Sequence, residues 1–197
     1  MSVMERIREM VAQSPDGTIK AEQVVKAGLY HGMLQKLVDA GELNKFGHGL
    51  YARTDVWKDE MFLLQRKYSR GIYSCETALY LHGYTDCTPT RLTMTFPKGY
   101  NNTSLKNENV IVKRVIPENY ILGVTEIASP CGNSLKVYDL ERTLCDILRG
   151  PGADIQIIVP AMKKYADFKN KDLHKLTEYA KQLRVEPKIQ HFMQVLL

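Results

Sequence analysis

Apolar residues in the first 40 positions recur at intervals of three and four, the spacing of amphipathic helices. This pattern predicts helices over residues 2–13, 20–27 and 30–40. Gly28 separates the second helix from the third, where a chain reversal favours a residue that tolerates positive φ. The apolar positions expected to face the core are Met4, Ile7, Met10, Val11, Ala21, Val24, Val25, Met33, Leu34, Leu37 and Val38.

A turn bounded by glycines comes after the third helix. Gly41 is placed to end that helix, and apolar residues lie on both sides of Gly47-His48-Gly49. Two short strands joined by a turn have this pattern, and Thr18-Ile19 can add a third strand. The order of helix, helix, glycine turn, helix and hairpin predicts a winged helix-turn-helix over residues 1–54.

The rest of the chain has mixed character. Residues 55–70 predict a connecting helix, and residues 71–197 predict a mixed α/β domain with a small sheet and C-terminal helices, so the fold class is α+β. The buried stripe of the connecting helix is expected to be Trp57, Met61, Leu64 and Tyr68. Strands are predicted at 92–96, 110–116, 121–127 and 135–138, and helices at 75–82, 140–148, 155–166, 172–184 and 188–196.

Charge and cysteine content narrow the classes of function only a little. The net charge is +5, yet residues 1–53 carry seven Lys or Arg and six Asp or Glu, so nucleic-acid binding has to be argued from pattern. The four cysteines form no C-x-x-C pair, and the histidines form no cluster, so we expect no metal and no cofactor. The sequence has neither a signal-peptide pattern nor a membrane span, and we expect a cytoplasmic protein.

The third helix is the candidate DNA-reading element. In a helix-turn-helix the second helix enters the major groove, and side chains near its N-terminus reach base edges. Gln35 is suited to adenine, and Lys36 to guanine or phosphate. The hairpin would act as the wing and contact phosphates or the minor groove. The candidate DNA-binding residues are Tyr30, His31, Gln35, Lys36, Lys45, His48 and Arg53.

Two sets of motifs resemble one family. In the first set, Lys26-Ala27-Gly28-Leu29, Ala40-Gly41-Glu42-Leu43 and Gly49-Leu50-Tyr51 resemble the winged helix-turn-helix of the AbiEi antitoxins. Relatives often carry several arginines in the recognition helix, whereas this chain has Tyr30, His31, Gly32 and Gln35 there.

The second set lies further along the chain. Residues 73–89, which include Thr77-Ala78-Leu79 and Leu81-His82-Gly83-Tyr84-Thr85-Asp86, resemble a segment of the same family, and Thr95 and Pro97-Lys98 fit the strand and basic turn that come next in that family. The strongest match is 137–149, Val-Tyr-Asp-Leu-Glu-Arg-Thr-Leu-Cys-Asp-Ile-Leu-Arg.

The resemblance implies the antitoxin of a type IV toxin–antitoxin system that defends against phage by abortive infection. Such a protein binds inverted repeats of double-stranded DNA in its own promoter as a cooperative multimer and represses transcription. It also counteracts an AbiEii-type toxin, a nucleotidyltransferase-like protein, without needing a stable complex. The resemblance suggests an antitoxicity surface formed by His82, Lys98, Arg142, Asp146 and Arg149.

The same residues also have a structural interpretation. Asp139 can cap a helix, and Glu141 in the first turn interacts favourably with the helix dipole. Arg142 and Asp146 are four residues apart and can form an ion pair within that helix. A histidine at a helix end, such as His82, is usually structural. Both interpretations stay open from the sequence.

Other functions have weaker support in the sequence. Asp139, Glu141 and Asp146 superficially suggest metal-binding carboxylates, but helical pitch places Asp139 and Asp146 on one face and Glu141 elsewhere. No P-loop, dinucleotide-binding fingerprint or catalytic triad spacing occurs, so we expect no enzyme. The two alternatives to the antitoxin are a ligand-sensing winged-helix transcription factor without a toxin partner and an enzyme with a DNA-targeting domain.

Overall fold

The structure is a computed structural model, which describes residues 2–47, 49–56, 59–150 and 154–196. Its helices and two separate sheets make it an α+β protein, as the sequence predicts. The chain divides into two compact units, Met1–Lys67 and Tyr68–Leu197.

The first unit combines helices with a small antiparallel sheet, in the order that the sequence predicts. Its three-stranded antiparallel sheet has the order β1-β3-β2, and β2 and β3 form the hairpin that the sequence predicts. The elements are α1 (Val3–Ala12), β1 (Thr18–Lys20), α2 (Ala21–Lys26), α3 (Gly32–Asp39), β2 (Leu43–Lys45), β3 (Leu50–Arg53) and α4 (Glu60–Lys67).

The core of this unit lies between α1, α2, α3 and the sheet, and it contains most of the predicted apolar positions. Val25 is the exception. It is 55% exposed, because α2 buries its inner side through Val24 alone and Val25 points away from that side of this short helix. The other members of the cluster are Ile7, Val11, Ile19, Leu34, Leu37, Leu43 and Tyr51, with Met4, Met10, Ala21, Met33 and Val38 packed against them.

Helix α4 differs from the predicted connecting helix. It begins at Glu60 rather than Asp55, and Asp59 accepts a hydrogen bond from the Phe62 backbone N–H in its first turn. Phe62 and Leu63 are buried, whereas the predicted Met61 and Leu64 are only partly buried. Tyr68 is buried as predicted, and Trp57 lies outside the described residues. The buried residues within the helix are therefore Phe62, Leu63 and Gln65 instead of Met61 and Leu64.

The second unit contains a five-stranded mixed sheet and most of the helices. Its described elements are β4 (Ile72–Tyr73), α5 (Cys75–Leu81), β5 (Leu92–Pro97), a 3-10 helix (Thr103–Asn107), β6 (Val110–Val115), α6 (Pro117–Ile121), β7 (Val124–Ala128), β8 (Ser134–Tyr138), α7 (Leu140–Arg149), α8 (Ile155–Asp167), α9 (Leu173–Gln182) and α10 (Glu186–Leu196).

The order of strands in this sheet is β6-β5-β4-β8-β7. The pairs β5–β6 and β4–β8 are parallel, and the pairs β4–β5 and β7–β8 are antiparallel. Because β5 and β6 run in the same direction, the carboxyl ends of both strands lie at one edge of the sheet.

Helix α7 is the central helix of the second unit. Every residue from Glu141 to Leu148 is buried, so its polar side chains are buried together with its apolar ones. It packs with α5, α8, α9 and α10 in a cluster that contains Leu79, Leu144, Met162, Tyr165, Leu176 and Ile189. The predicted helix with Asp139 as its cap is confirmed, since the Asp139 carboxylate accepts the Arg142 backbone N–H.

Three short elements are absent from the sequence prediction. Strand β4 has two residues, and α6 and the 3-10 helix have five each. The predicted strand over 121–127 is wrong at its start, because Pro117 begins α6 and β7 begins only at Val124. Proline is favourable in the first turn of a helix, where its missing N–H has no intrahelical partner anyway.

Candidate functional site

The turn before α3 is shaped by glycine. Gly28 has a φ of +73°, which L-residues with a side chain rarely adopt. This conformation lets the Leu29 N–H donate to the Val24 carbonyl at 3.1 Å, which closes α2 and turns the chain toward α3. Helix α3 then begins at Gly32 rather than at Tyr30, the start that the sequence predicts. Tyr30 and His31 therefore precede the helix.

The two aromatic residues before α3 are both exposed. Tyr30 is 65% exposed, and its ring centroid lies 5.5 Å from that of His31 at a tilted angle. A Cβ atom on Gly32 would lie within 2.9 Å of three atoms of the Tyr30 side chain, so the ring position depends on glycine there. The start of α3 thus presents two flat rings with polar tips to solvent.

The outer face of α3 is also exposed and carries opposite charges. Lys36 and Asp39 are both exposed, and Gln35 donates from Nε2 to Asp39 Oδ1 at 2.9 Å. Leu34 and Leu37 bury the inner face completely. The helix is therefore held from below, and its polar side is accessible to a partner, although Asp39 occupies the amide group that would read a base.

The β2–β3 hairpin, predicted to act as a wing, supplies two further cations. Lys45 at the end of β2 is exposed, and Arg53 at the end of β3 forms an exposed ion pair with Asp55, with Nε 3.0 Å from Oδ1. His48, in the turn between these strands, lies outside the described residues. The structure thus places all six described candidates for DNA binding at exposed positions.

A polar contact between α4 and the start of β1 has no counterpart in the sequence prediction. Arg66 Nη2 lies 2.8 Å from Asp16 Oδ2, and Asp16 also accepts from the Thr18 N–H and from the hydroxyls of Ser14 and Thr18. Burial alone would raise the pKa of Asp16, but these hydrogen bonds and Arg66 lower it overall. This contact fixes α4 to the sheet of the first unit.

The acidic residues at the start of α7 are not arranged as the sequence predicts. Asp139 Oδ2 and Glu141 Oε2 lie 2.9 Å and 3.2 Å from the same Lys175 Nζ, so these two carboxylates converge. Asp146 faces a different partner, Arg142. The prediction that Asp139 and Asp146 share a face is wrong, because Asp139 is an extended cap residue to which helical pitch does not apply.

The prediction that Arg142 lies on a surface is incorrect. Its side chain is fully buried, with Nε 3.0 Å from Asp146 Oδ2 and Nη1 donating to the carbonyls of Asn119 and Leu122 at 2.6 Å and 2.9 Å. The Tyr138 ring centroid lies 4.2 Å from its guanidinium carbon. A buried guanidinium needs this many partners because it stays charged. The structural interpretation of Arg142 is the observed one.

Three of the residues predicted for the antitoxicity surface do come together. Lys98, Asp146 and Arg149 line a cavity of about 750 Å³ beside the carboxyl ends of β5 and β6. Lys98 and Arg149 are exposed, whereas Asp146 is 7% exposed. Burial raises the pKa of the Asp146 carboxyl, and the Arg142 guanidinium opposes that shift.

Sequence reasoning missed three more polar residues of this cavity. Lys113 and Arg114 lie within β6, and Asn119 lies in α6. The sequence did carry a signal, because two adjacent cations interrupt an otherwise apolar strand. Lys113 pairs in register with Thr95 of β5, another lining residue, and its Nζ lies 2.9 Å from Cys75 Sγ. The cavity therefore has cations on several of its walls.

His82 is separate from this cavity. Its Nε2 lies 2.8 Å from the Tyr138 carbonyl, which places it at the end of α5 against the last residue of β8. It is partly buried. This contact supports the structural interpretation of His82.

The part of the chain that the structure describes contains neither a membrane-spanning helix nor a candidate metal site. Within the described ranges, no helix is both long and apolar enough to cross a membrane. Among the same residues, no three His, Cys, Asp or Glu side chains are grouped so as to hold a metal ion.

Comparison with known proteins gives information on the fold. No protein-family model and no curated protein matches the chain. Among solved structures, the chain is similar to the crystal structure of the RV2827C protein from Mycobacterium tuberculosis, with 16% sequence identity and a TM-score of 0.61. The match covers 98% of this chain and 80% of that one. At this identity, the similarity shows a shared fold and no more.

Proposed function

We propose that this protein is a winged-helix DNA-binding repressor that acts as the antitoxin of an AbiEi-type system. The observation that carries the DNA-binding part is the exposed outer face of α3, preceded by Tyr30 and His31 and followed by the β2–β3 hairpin. In a winged helix these elements enter the major groove and contact the flanking backbone. The repressor and antitoxin parts rest on the resemblance of the sequence motifs.

The charges on the outer face of α3 and on the hairpin favour a moderate affinity for DNA. Lys36 and Lys45 are exposed, whereas Gln35 and Arg53 each have an acidic neighbour within the unit. Two copies bound to the half-sites of an inverted repeat would occupy one face of the DNA, so we expect cooperative occupancy. The target is the double-stranded DNA upstream of the protein's own gene.

A gel-shift titration with that upstream fragment tests DNA binding. The variant Lys36→Gln/Lys45→Gln should weaken binding, and each lost phosphate contact should flatten the dependence of log K on log salt by about 0.9. Lys163→Gln/Lys169→Gln removes the same charge from exposed positions of the second unit and is the matched control. If both variants bind DNA equally weakly, the loss of affinity is due to the lower net charge of the protein and not to contacts of Lys36 and Lys45. That result would contradict the proposal.

Co-expression tests the antitoxin part. The full chain should restore growth to cells that express an AbiEii-type toxin encoded beside it. The Lys36→Gln/Lys45→Gln variant should still do so, because the proposal assigns neutralisation to the second unit. If the wild-type chain fails to restore growth, the antitoxin assignment is wrong, whatever the result of the gel shift.

The second candidate is a ligand-sensing winged-helix transcription factor without a toxin partner. The cavity bounded by Lys98, Lys113 and Arg149 favours it, because an open cavity of this size in the second unit provides space for an effector. The absence of a toxin reading frame beside the gene, together with DNA binding that changes on addition of a small anion, would favour this candidate over the antitoxin.

A further inference from the structure

The cavity in the second unit concentrates positive charge. Four cationic residues contribute to its lining: Lys98, Lys113, Arg114 and Arg149. Arg114 also lines a second cavity, and its Nε donates to the Tyr100 carbonyl. With one carboxylate, that of Asp146, among the lining residues, the cavity keeps an excess of cations. Like charges that converge on one concave surface repel one another and destabilise the free protein, unless an anion joins them.

Acidic side chains compensate these cations only in part, because the Asp146 carboxyl interacts with Lys113 and Arg149 as well as with Arg142. Within the described part of the chain, none of the four forms an ion pair with a carboxylate. The one carboxylate in the lining, Asp146, is paired with the buried Arg142. Lys113 contacts the Cys75 sulfur, and burial raises the pKa of that thiol, so the thiol does not offset the lysine charge.

The position of the cavity suits a small ligand. It lies where the parallel strands β5 and β6 end, and ligands of open α/β sheets bind outside the carboxyl ends of such strands. Its volume of about 750 Å³ falls within the range of small-molecule sites. Because the site is concave, it suits a small occupant that enters it, whereas a nucleic-acid backbone is contacted by an exposed surface.

The lining also offers groups for the uncharged part of a ligand. Val115 and Ile116 are apolar, and Ile116 is 46% exposed. A neighbouring cavity of about 430 Å³ shares Ile116, Asn119 and Arg149 with the first and adds Glu118, Gln182 and Arg184. Arginine binds phosphate through two parallel N–H groups, and lysine adds a point charge. Arg149, shared by both cavities, is placed to contact phosphates in either one.

We propose that this cavity binds a small molecule with two linked phosphate groups, as in a nucleoside diphosphate, through Lys98, Lys113 and Arg149. Ile116 and Val115 would contact the nucleoside portion, and Asn119 offers a neutral polar group between the two cavities. This cavity is also the one that would hold the effector of the second candidate function. The test measures ligand binding alone, so its failure is distinguishable from a failure of DNA binding or of toxin neutralisation.

Isothermal titration calorimetry on the full chain tests the proposal with ADP, pyrophosphate and adenosine as probes. ADP should bind and adenosine should not. Binding of ADP should weaken as salt rises, because the contact is between charges. Pyrophosphate should bind more weakly than ADP. Binding as tight as that of ADP would retain the diphosphate contacts but contradict the contact of Val115 and Ile116 with a nucleoside, and would identify a free diphosphate as the ligand. Adenosine binding as tight as that of ADP would overturn the proposal.

Variants identify the site. Lys98→Gln/Arg149→Gln changes two exposed side chains, so the fold should be retained, and ADP affinity should fall at least about tenfold for each cation removed. The matched control Lys163→Gln/Lys169→Gln should bind ADP as the wild type does. Equal losses in both variants, or no binding of ADP and pyrophosphate to the wild type, would refute the site. If ADP does not bind, and if a short duplex of unrelated sequence binds the wild type but not Lys98→Gln/Arg149→Gln, the cavity contacts nucleic acid and the proposal is wrong.

Discussion

Arg142 and Asp146 form an ion pair one helical turn apart on α7, with Nε 3.0 Å from Oδ2 and both side chains buried. The guanidinium also donates to two backbone carbonyls, those of Asn119 and Leu122. These contacts join α7 to α6 and to the turn before β7. The pair therefore stabilises the arrangement of elements around the cavity without being part of an exposed surface.

Removal of the guanidinium should destabilise the second unit strongly. In Arg142→Ala, Asp146 and two carbonyls lose their donor in a buried setting, and we expect the free energy of unfolding to fall by about 3–5 kcal/mol. Urea titration followed by circular dichroism measures this. Arg149→Ala, an exposed change on the same helix, should stay within about 0.5 kcal/mol of the wild type. Similar losses in the two variants would contradict the structural role of the buried pair.

Gly123 should tolerate alanine poorly. Its φ is +73°, and an added Cβ would lie 2.8 Å from Arg142 Cβ and 3.1 Å from an Asp139 carboxylate oxygen. Gly132 has a φ of +87° with open space around it, so Gly132→Ala carries only the conformational strain of about 1–2 kcal/mol. Gly123→Ala should lower the free energy of unfolding by at least about 1 kcal/mol more than that. Equal values in urea titration would show that the surroundings of Gly123 relax freely.

The protein should lose stability at alkaline pH through Cys145. Burial, with Asp146 nearby, raises the pKa of this thiol to about 12 from a usual value of 9.0. The stability that the neutral thiol contributes is complete below pH 9.0 and is lost as the pH rises toward 12, because only the unfolded chain releases the proton in that interval. The expected slope from this group is about 1.4 kcal/mol per pH unit.

Cys145→Ala should reduce that slope between about pH 9 and pH 11 in urea titrations, whatever its effect on stability at neutral pH. Cys87→Ala is the control, because Cys87 is exposed and should leave the slope unchanged. If Cys145→Ala has the same slope as the wild type, other groups with raised pKa values, among them Tyr138 and Tyr165, carry the whole alkaline dependence.

The first unit could be predicted from the sequence almost element by element. Its helices have clear apolar periodicity. Gly28 and Gly41 follow the ends of two helices, where the backbone has a positive φ that favours glycine, so the sequence itself indicates these helix ends. The errors in this unit concern the burial of one residue in a short helix and the start of another helix. Val25 is exposed because α2 has only six residues, and α4 begins at Glu60 rather than at the predicted Asp55.

The second unit was harder to predict because its sheet depends on pairing between distant residues. The two-residue strand β4 exists because it pairs with β5 and β8, which no local pattern indicates. The polar residues of α7 suggest an exposed face, yet Arg142 is buried and donates to the carbonyls of Asn119 and Leu122. Asn119 lies in α6, a helix that the sequence pattern does not predict. Of the five residues that the sequence predicts for one surface, only Lys98, Asp146 and Arg149 line the cavity. The parallel pairing of β5 with β6, which the sequence does not indicate, brings Lys113 beside them.

DNA affinity should rise when the acidic residue on the outer face of α3 is neutralised. Asp39 accepts a hydrogen bond from Gln35 Nε2 at 2.9 Å and would repel phosphates of a bound duplex. A charge pair about 4 Å apart in water is worth about 1 kcal/mol, so Asp39→Asn should tighten binding to the upstream fragment about fivefold in a gel shift at low salt. Glu9→Gln, an exposed change on α1, should leave the dissociation constant unchanged. An unchanged constant for Asp39→Asn would place the outer face of α3 away from the DNA and remove the main support for the winged helix as the reading element.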